Sequence, residues 1–131
     1  MSFDSPARPD LPGYRQVIAM AVPDLVTALV GQLGRPLVAY LGGVNKVSIV
    51  RQWCAGTGEI ADPADIERLR LAFRAASLII SRESGGVAQA WFQGLNPALG
   101  DRSPARVLRE DNLDTAGRQV LAAAREFAGS G

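Results

Sequence analysis

Apolar residues recur along this chain at spacings of three and four, the period of a helix with one buried face. The first such run opens near Pro23. Proline suits a first helical turn, and Asp24 complements the positive end of the helix dipole. Leu25, Leu29 and Leu33 then form one stripe, and Gly34 supplies a stop. A short helix is predicted after Arg35-Pro36, burying Leu37, Tyr40 and Leu41 and ending at Gly42-Gly43. A third helix, capped by Asn45 or Ser48, carries Val47, Val50 and Trp53 and stops at Gly56 or Gly58. The fourth has the clearest start, with Asp62 as cap, Pro63 at the first position and Asp65 in the first turn. Its stripe is Ile66, Leu69, Phe73, Ala76 and Ile80, and the helix can extend to about Ser84.

Gly85-Gly86 reads as a hinge. Beyond it the pattern predicts a short helix from Val87 to Phe92 and a turn-rich stretch from Gly94 to Gly100. A second cap-then-proline signal at Ser103-Pro104 opens a helix through Leu108. A last helix starts between Asn112 and Thr115 and carries Val120, Ala123, Ala124 and Phe127. The expectation for Trp91, Leu95, Leu99 and Leu108 is that they fill a core. No segment alternates with period two, so the predicted fold class is all-α. The organisation expected is a flexible N-terminal arm at 1–20, rich in proline, a helix-turn-helix domain at 21–84 and a small helical domain at 85–131.

Composition narrows the chemistry. With 131 residues, 47% of them hydrophobic, the chain can build a packed core. It has one cysteine, Cys54, and no histidine. This argues against an internal disulfide, a structural zinc site, and the Ser/His and Cys/His pairings of nucleophilic enzymes, and no cofactor is expected. No pair of carboxylates stands in a catalytic context, so no enzyme activity is expected. The Val17–Val30 run is broken by Pro23 and Asp24 and is too short to span a bilayer, so a cytoplasmic location is expected.

The net charge of +1 says little, but its distribution says more. No acidic residue falls between Asp24 and Glu59, whereas Arg35, Lys46 and Arg51 lie inside that window. A nucleic-acid surface is therefore expected in the first half. Residues 35–56 read helix, tight turn, helix, and in such a motif the second helix enters the major groove. Ala39 would allow close packing, with Val44, Val50 and Trp53 as anchors. Burying about 200 Å² of tryptophan at roughly 25 cal/mol/Å² is worth several kcal/mol. Lys46, Ser48, Arg51 and Gln52 would be left for DNA. Arginine pairs with guanine and glutamine with adenine, while lysine and serine suit phosphates.

The sequence RQWCAG closing this motif, followed by IERLRLAFRAASLI and AWFQGLNPALGDRSPARVLRED, resembles the Xre/MbcA/ParS family of antitoxins. The second half carries the more specific signature: Trp91, Asn96-Pro97, Leu99-Gly100, Ser103-Pro104 and Leu108, in that order. The likeness covers residues 20–128, with a Gly43-to-Trp53 spacing one residue longer than in the commonest Xre-type repressors.

The resemblance implies an Xre-like helix-turn-helix bundle followed by a small toxin-binding domain. Its partner would be a cognate RES-domain toxin, an enzyme that degrades NAD or uses it for ADP-ribosylation. The antitoxin would block the toxin's active site and, as a homodimer or a larger complex with the toxin, repress its own operon by binding operator DNA. Trp91, Asn96, Leu99, Arg102, Ser103, Arg106, Arg109, Arg118 and Arg125 are the expected toxin-binding residues, and the segment from Asn112 to Gly131 the expected blocking element. The arginines suit an interface because their planar forks make paired hydrogen bonds. The alternative is a stand-alone transcriptional regulator whose second half only dimerises.

Overall fold

The computed structural model describes residues 20–129. The expected N-terminal arm, apart from Met20, lies outside the described residues. Among the described residues seven α-helices follow one another: α1 (Val22–Leu33), α2 (Arg35–Leu41), α3 (Val47–Ala55), α4 (Pro63–Ile80), α5 (Gly85–Gln93), α6 (Pro104–Glu110) and α7 (Leu113–Gly129). A 3-10 turn, Pro97–Leu99, sits between α5 and α6. The fold among the described residues is all-α.

The starts and stops of these helices follow local chemistry. Asp62 caps α4 by accepting a hydrogen bond from the Ala64 amide at 2.9 Å. Ser103 does the same for α6 through the Arg106 amide at 3.2 Å, and Asn112 for α7 through the Asp114 amide at 3.0 Å. Gly34 separates α1 from α2 at φ +85°, a left-handed value that favours glycine.

Three local expectations need correction. Neither Asn45 nor Ser48 caps α3; Lys46 holds that position in extended geometry without a side-chain hydrogen bond. Helix α4 ends at Ile80 rather than near Ser84, and the Ser81 hydroxyl donates back to the Leu78 carbonyl at 2.7 Å. Gly85-Gly86 is not a break but the first turn of α5, with Ser84 as its cap; the chain reverses at 81–84 instead.

Helix α1 is central, packing on α2, α3, α4 and α5 through Leu25, Val26, Leu29 and Leu33, all fully buried. Helix α4 packs most extensively on α7. Gly117 makes that approach possible, since a Cβ there would lie 2.9 Å from Leu71 Cδ2. Glycine inside a helix costs about 1 kcal/mol relative to alanine, so its place here is set by tertiary contact. One apolar core runs from Leu25 to Ala124, taking side chains from both the 21–84 and the 85–131 segments.

Two arginines tie the segments together around the C-terminal end of α2. Arg68 of α4 donates to the Leu41 carbonyl at 3.1 Å, to the Leu108 carbonyl of α6 at 3.0 Å and to Asp65 at 2.6 Å. Arg109 of α6 donates to the Tyr40 carbonyl at 2.6 Å. Carbonyls at a helix C-terminus lack intrahelical partners and carry partial negative charge, so cations are favoured there.

Candidate functional site

Helices α2 and α3 are joined by a tight turn at 42–46 and pack against each other. Ala39, Val50 and Trp53 are buried and Val44 packs on the core at half exposure. Gly43 reverses the chain at φ +81°. Gly42 lies directly against the Trp53 ring, leaving no room for a side chain. Helix α3 is closed by Gly56 in left-handed geometry, with its amide donating to the Trp53 carbonyl.

This packing leaves Lys46, Ser48, Arg51 and Gln52 exposed. Arg35, at the start of α2, is exposed beside them and shares with Arg51 and Cys54 a groove of about 370 Å³. Arg35, Lys46, Arg51 and Arg109 have no carboxylate partner among the described residues. By contrast, Arg68 is paired with Asp65, Arg102 with Asp111 and Arg106 with Glu110. Four of the cations without a carboxylate partner among the described residues thus lie on and around the α2–α3 pair; Arg82 and Arg118, also without one among those residues, lie elsewhere.

The placement of Arg109 was not legible in the sequence. Expected among the toxin-binding residues, Arg109 projects from α6 onto α2, its guanidinium carbon 4.9 Å from the centre of the Tyr40 ring. It lines a groove of about 700 Å³ with Tyr40, Gly43, Asn45 and Val47. A contact across 69 residues leaves no local signal. Arg35 carries a signal, the acid-free window, but lies ahead of the helix expected to read DNA.

The second expected surface divides into supports and exposed groups. Leu99 is buried and belongs to the core. Asn96 accepts from the Ala98 amide at 2.9 Å, and its own amide donates to the Arg102 carbonyl at 3.1 Å, closing the turn. Ser103 is spent on capping α6. Arg102 makes a two-pronged ion pair with Asp111, both contacts at 2.8 Å. The hydrogen bond from Arg102 holds the Asp111 carboxyl below the usual carboxylate range, against partial desolvation, while Asp111 raises the Arg102 pKa above its ordinary value. Arg106 reaches Glu110 at 3.1 Å on the same helix face.

Two large apolar side chains, Leu95 and Phe127, also face outward. Leu95, expected in the core, is 77% exposed. The chain leaves α5 extended at Gly94 and is pinned at Asn96, and that register turns Leu95 to solvent while Phe92 and Leu99 take the interior. Phe127 is also exposed, and half-buried Trp91 stands 6.3 Å from it, centre to centre. The two rings, the Asn96–Ala98 turn and Glu126 border a groove of about 270 Å³.

Helix α7, the expected blocking element, is a core helix on one face through Ala116, Val120, Leu121 and Ala124. Its other face carries exposed Arg118 and Arg125. No protein-family model, curated protein or solved structure matches this chain. Among the described residues no helix is long and apolar enough to cross a membrane.

Proposed function

We propose that this protein is an antitoxin that binds a RES-domain, NAD-consuming toxin through its second half, occludes the toxin's active site, and represses its operon through α2 and α3. The observation that carries the toxin-binding reading is the exposure of Leu95 and Phe127. Phe127 and half-buried Trp91 border the Asn96-Pro97 turn, the centre of the antitoxin-like signature, and Leu95 directly precedes it. An aromatic-walled groove beside an exposed leucine suits an apolar side chain of a partner protein. The unpaired cations beside the exposed face of α3 support the DNA-binding half of the same reading.

The experiment is co-expression with the protein encoded by the adjacent open reading frame, expected to be a RES-domain toxin, followed by an assay of NAD loss. A stable complex in which NAD loss is suppressed is the expected result. If no complex forms and the chain alone holds operator DNA tightly, the protein is a stand-alone regulator, the reading that the cationic helix-turn-helix face favours by itself.

A further inference from the structure

The groove bordered by Tyr40, Asn45 and Arg109 lies outside the DNA contacts expected from α3, and it is built from two distant parts of the chain. Its floor is apolar, with Val44, Val47 and Ile49. Its rim carries Asn45 and Arg109, both exposed. Arg109 spends one N–H on the Tyr40 carbonyl and stacks over the Tyr40 ring. A guanidinium has five N–H donors in a fixed fork, so further donors are left to face the groove. The tether holds the cation in place before any ligand arrives, which reduces the entropy lost on binding.

The neighbouring carboxylates do not compete for it. Asp65, which lies under Gly43, is paired with Arg68, and Glu110 is paired with Arg106. The groove adjoins the turn that leads into α3, where Lys46 adds a second unpaired cation.

We infer that this groove seats the DNA backbone next to the major groove read by α3, with Arg109 as a phosphate ligand contributed by α6. The apolar floor suits deoxyribose, and the arginine fork suits phosphate oxygens. Helix α6 would thus fix the depth and angle at which α3 enters DNA. The inference rests on the DNA-binding half of the proposed function.

The test uses the full chain and a random-sequence duplex of about 30 base pairs, titrated between about 50 and 200 mM salt. Each phosphate neutralised contributes about 0.9 to the slope of log affinity against log salt. Arg109→Gln should lower that slope by about 0.9 per chain bound. Arg109→Lys should keep it. Arg118→Gln, an equal change of net charge on α7, should leave it unaltered. In the unsubstituted chain, bound duplex should protect Arg109 and Arg51 from phenylglyoxal, but not Arg118, a readout that does not depend on any variant folding.

If Arg109→Gln behaves like Arg118→Gln while Arg51→Gln lowers the slope, the phosphate role of Arg109 is overturned and the DNA-binding reading survives. Modification of Arg109 undiminished by duplex that protects Arg51 overturns it equally. If the unsubstituted chain does not bind duplex at all, the DNA-binding reading itself fails.

Discussion

Gly42 and Trp53 meet so closely that a Cβ on the glycine would lie 2.6 Å from Trp53 Cζ3 and 2.8 Å from Cη2. The contact joins the end of α2 to the last turn of α3. Gly42 has φ −81°, which any residue can adopt, so the glycine serves space and not backbone freedom. Relief of glycine's chain entropy would by itself stabilise an alanine variant by about 0.4–1 kcal/mol. Displacing a rigid, buried ring costs more. Gly42→Ala should therefore lower stability by about 1–3 kcal/mol in urea unfolding followed by tryptophan fluorescence. Stability at or above that of the unsubstituted protein would mean that Trp53 is not held against the turn.

The exposed face of α3 should be separable from the second half in function. Replacing Arg51 and Gln52 with alanine should weaken operator binding by about 1–3 kcal/mol for each base pair no longer read, as measured by titration. Toxin neutralisation should persist. A folded variant that no longer neutralises toxin would refute this division of labour.

Leu95 has little to lose in the free protein. At 77% exposure, Leu95→Ser should change stability by no more than about 0.5 kcal/mol. If its surface docks on the toxin, the same change should weaken the complex by about 1.4 kcal/mol, or tenfold. Calorimetry of the chain alone and with its partner distinguishes the two. Unchanged affinity would remove Leu95 from the interface. Truncation before Asn112 is no substitute for this variant, because it deletes Val120, Leu121 and Ala124 from the core and would abolish function by unfolding.

The Arg102–Asp111 pair gives a pH dependence of known sign. Its carboxyl titrates lower in the folded chain than in the unfolded one, held there first by the Arg102 hydrogen bond. The folded state therefore binds fewer protons in the acid range. The pair's stabilisation is complete above the unfolded carboxylate pKa, about 4, and is lost as pH falls through the lower folded value. Asp111→Asn should reduce thermal stability at neutral pH and flatten its decline on acidification. Because both side chains are partly exposed, the difference should shrink in high salt. A variant with the same acid limb as the parent would show that the pair contributes nothing.

Helix positions were legible because their signals are local. Asp62-Pro63 and Ser103-Pro104 each satisfy amides within a few residues of themselves, and the stripe Leu25, Leu29, Leu33 needs only helical period to share one face. The exposed positions Lys46, Ser48, Arg51 and Gln52 followed from the same logic, since the opposite face of α3 was claimed by Val50 and Trp53. What periodicity could not supply was the fate of residues between helices. Leu95 is as apolar as Leu99, yet one faces water and the other is buried, because the Asn96–Arg102 backbone pairing sets the register of that turn.

The chain's sequence alone determined an all-helical protein and the face each helix would bury, because capping, helix period and glycine stops act over a few residues. Tertiary structure alone decided that Arg109 of α6 reaches Tyr40 and lines the α2–α3 groove, that Gly117 admits Leu71 between α7 and α4, and that Arg68 joins α2 to α6. Each of these depends on two segments brought together by burial of a shared core, and no local pattern encodes which distant carbonyl or ring a side chain will meet.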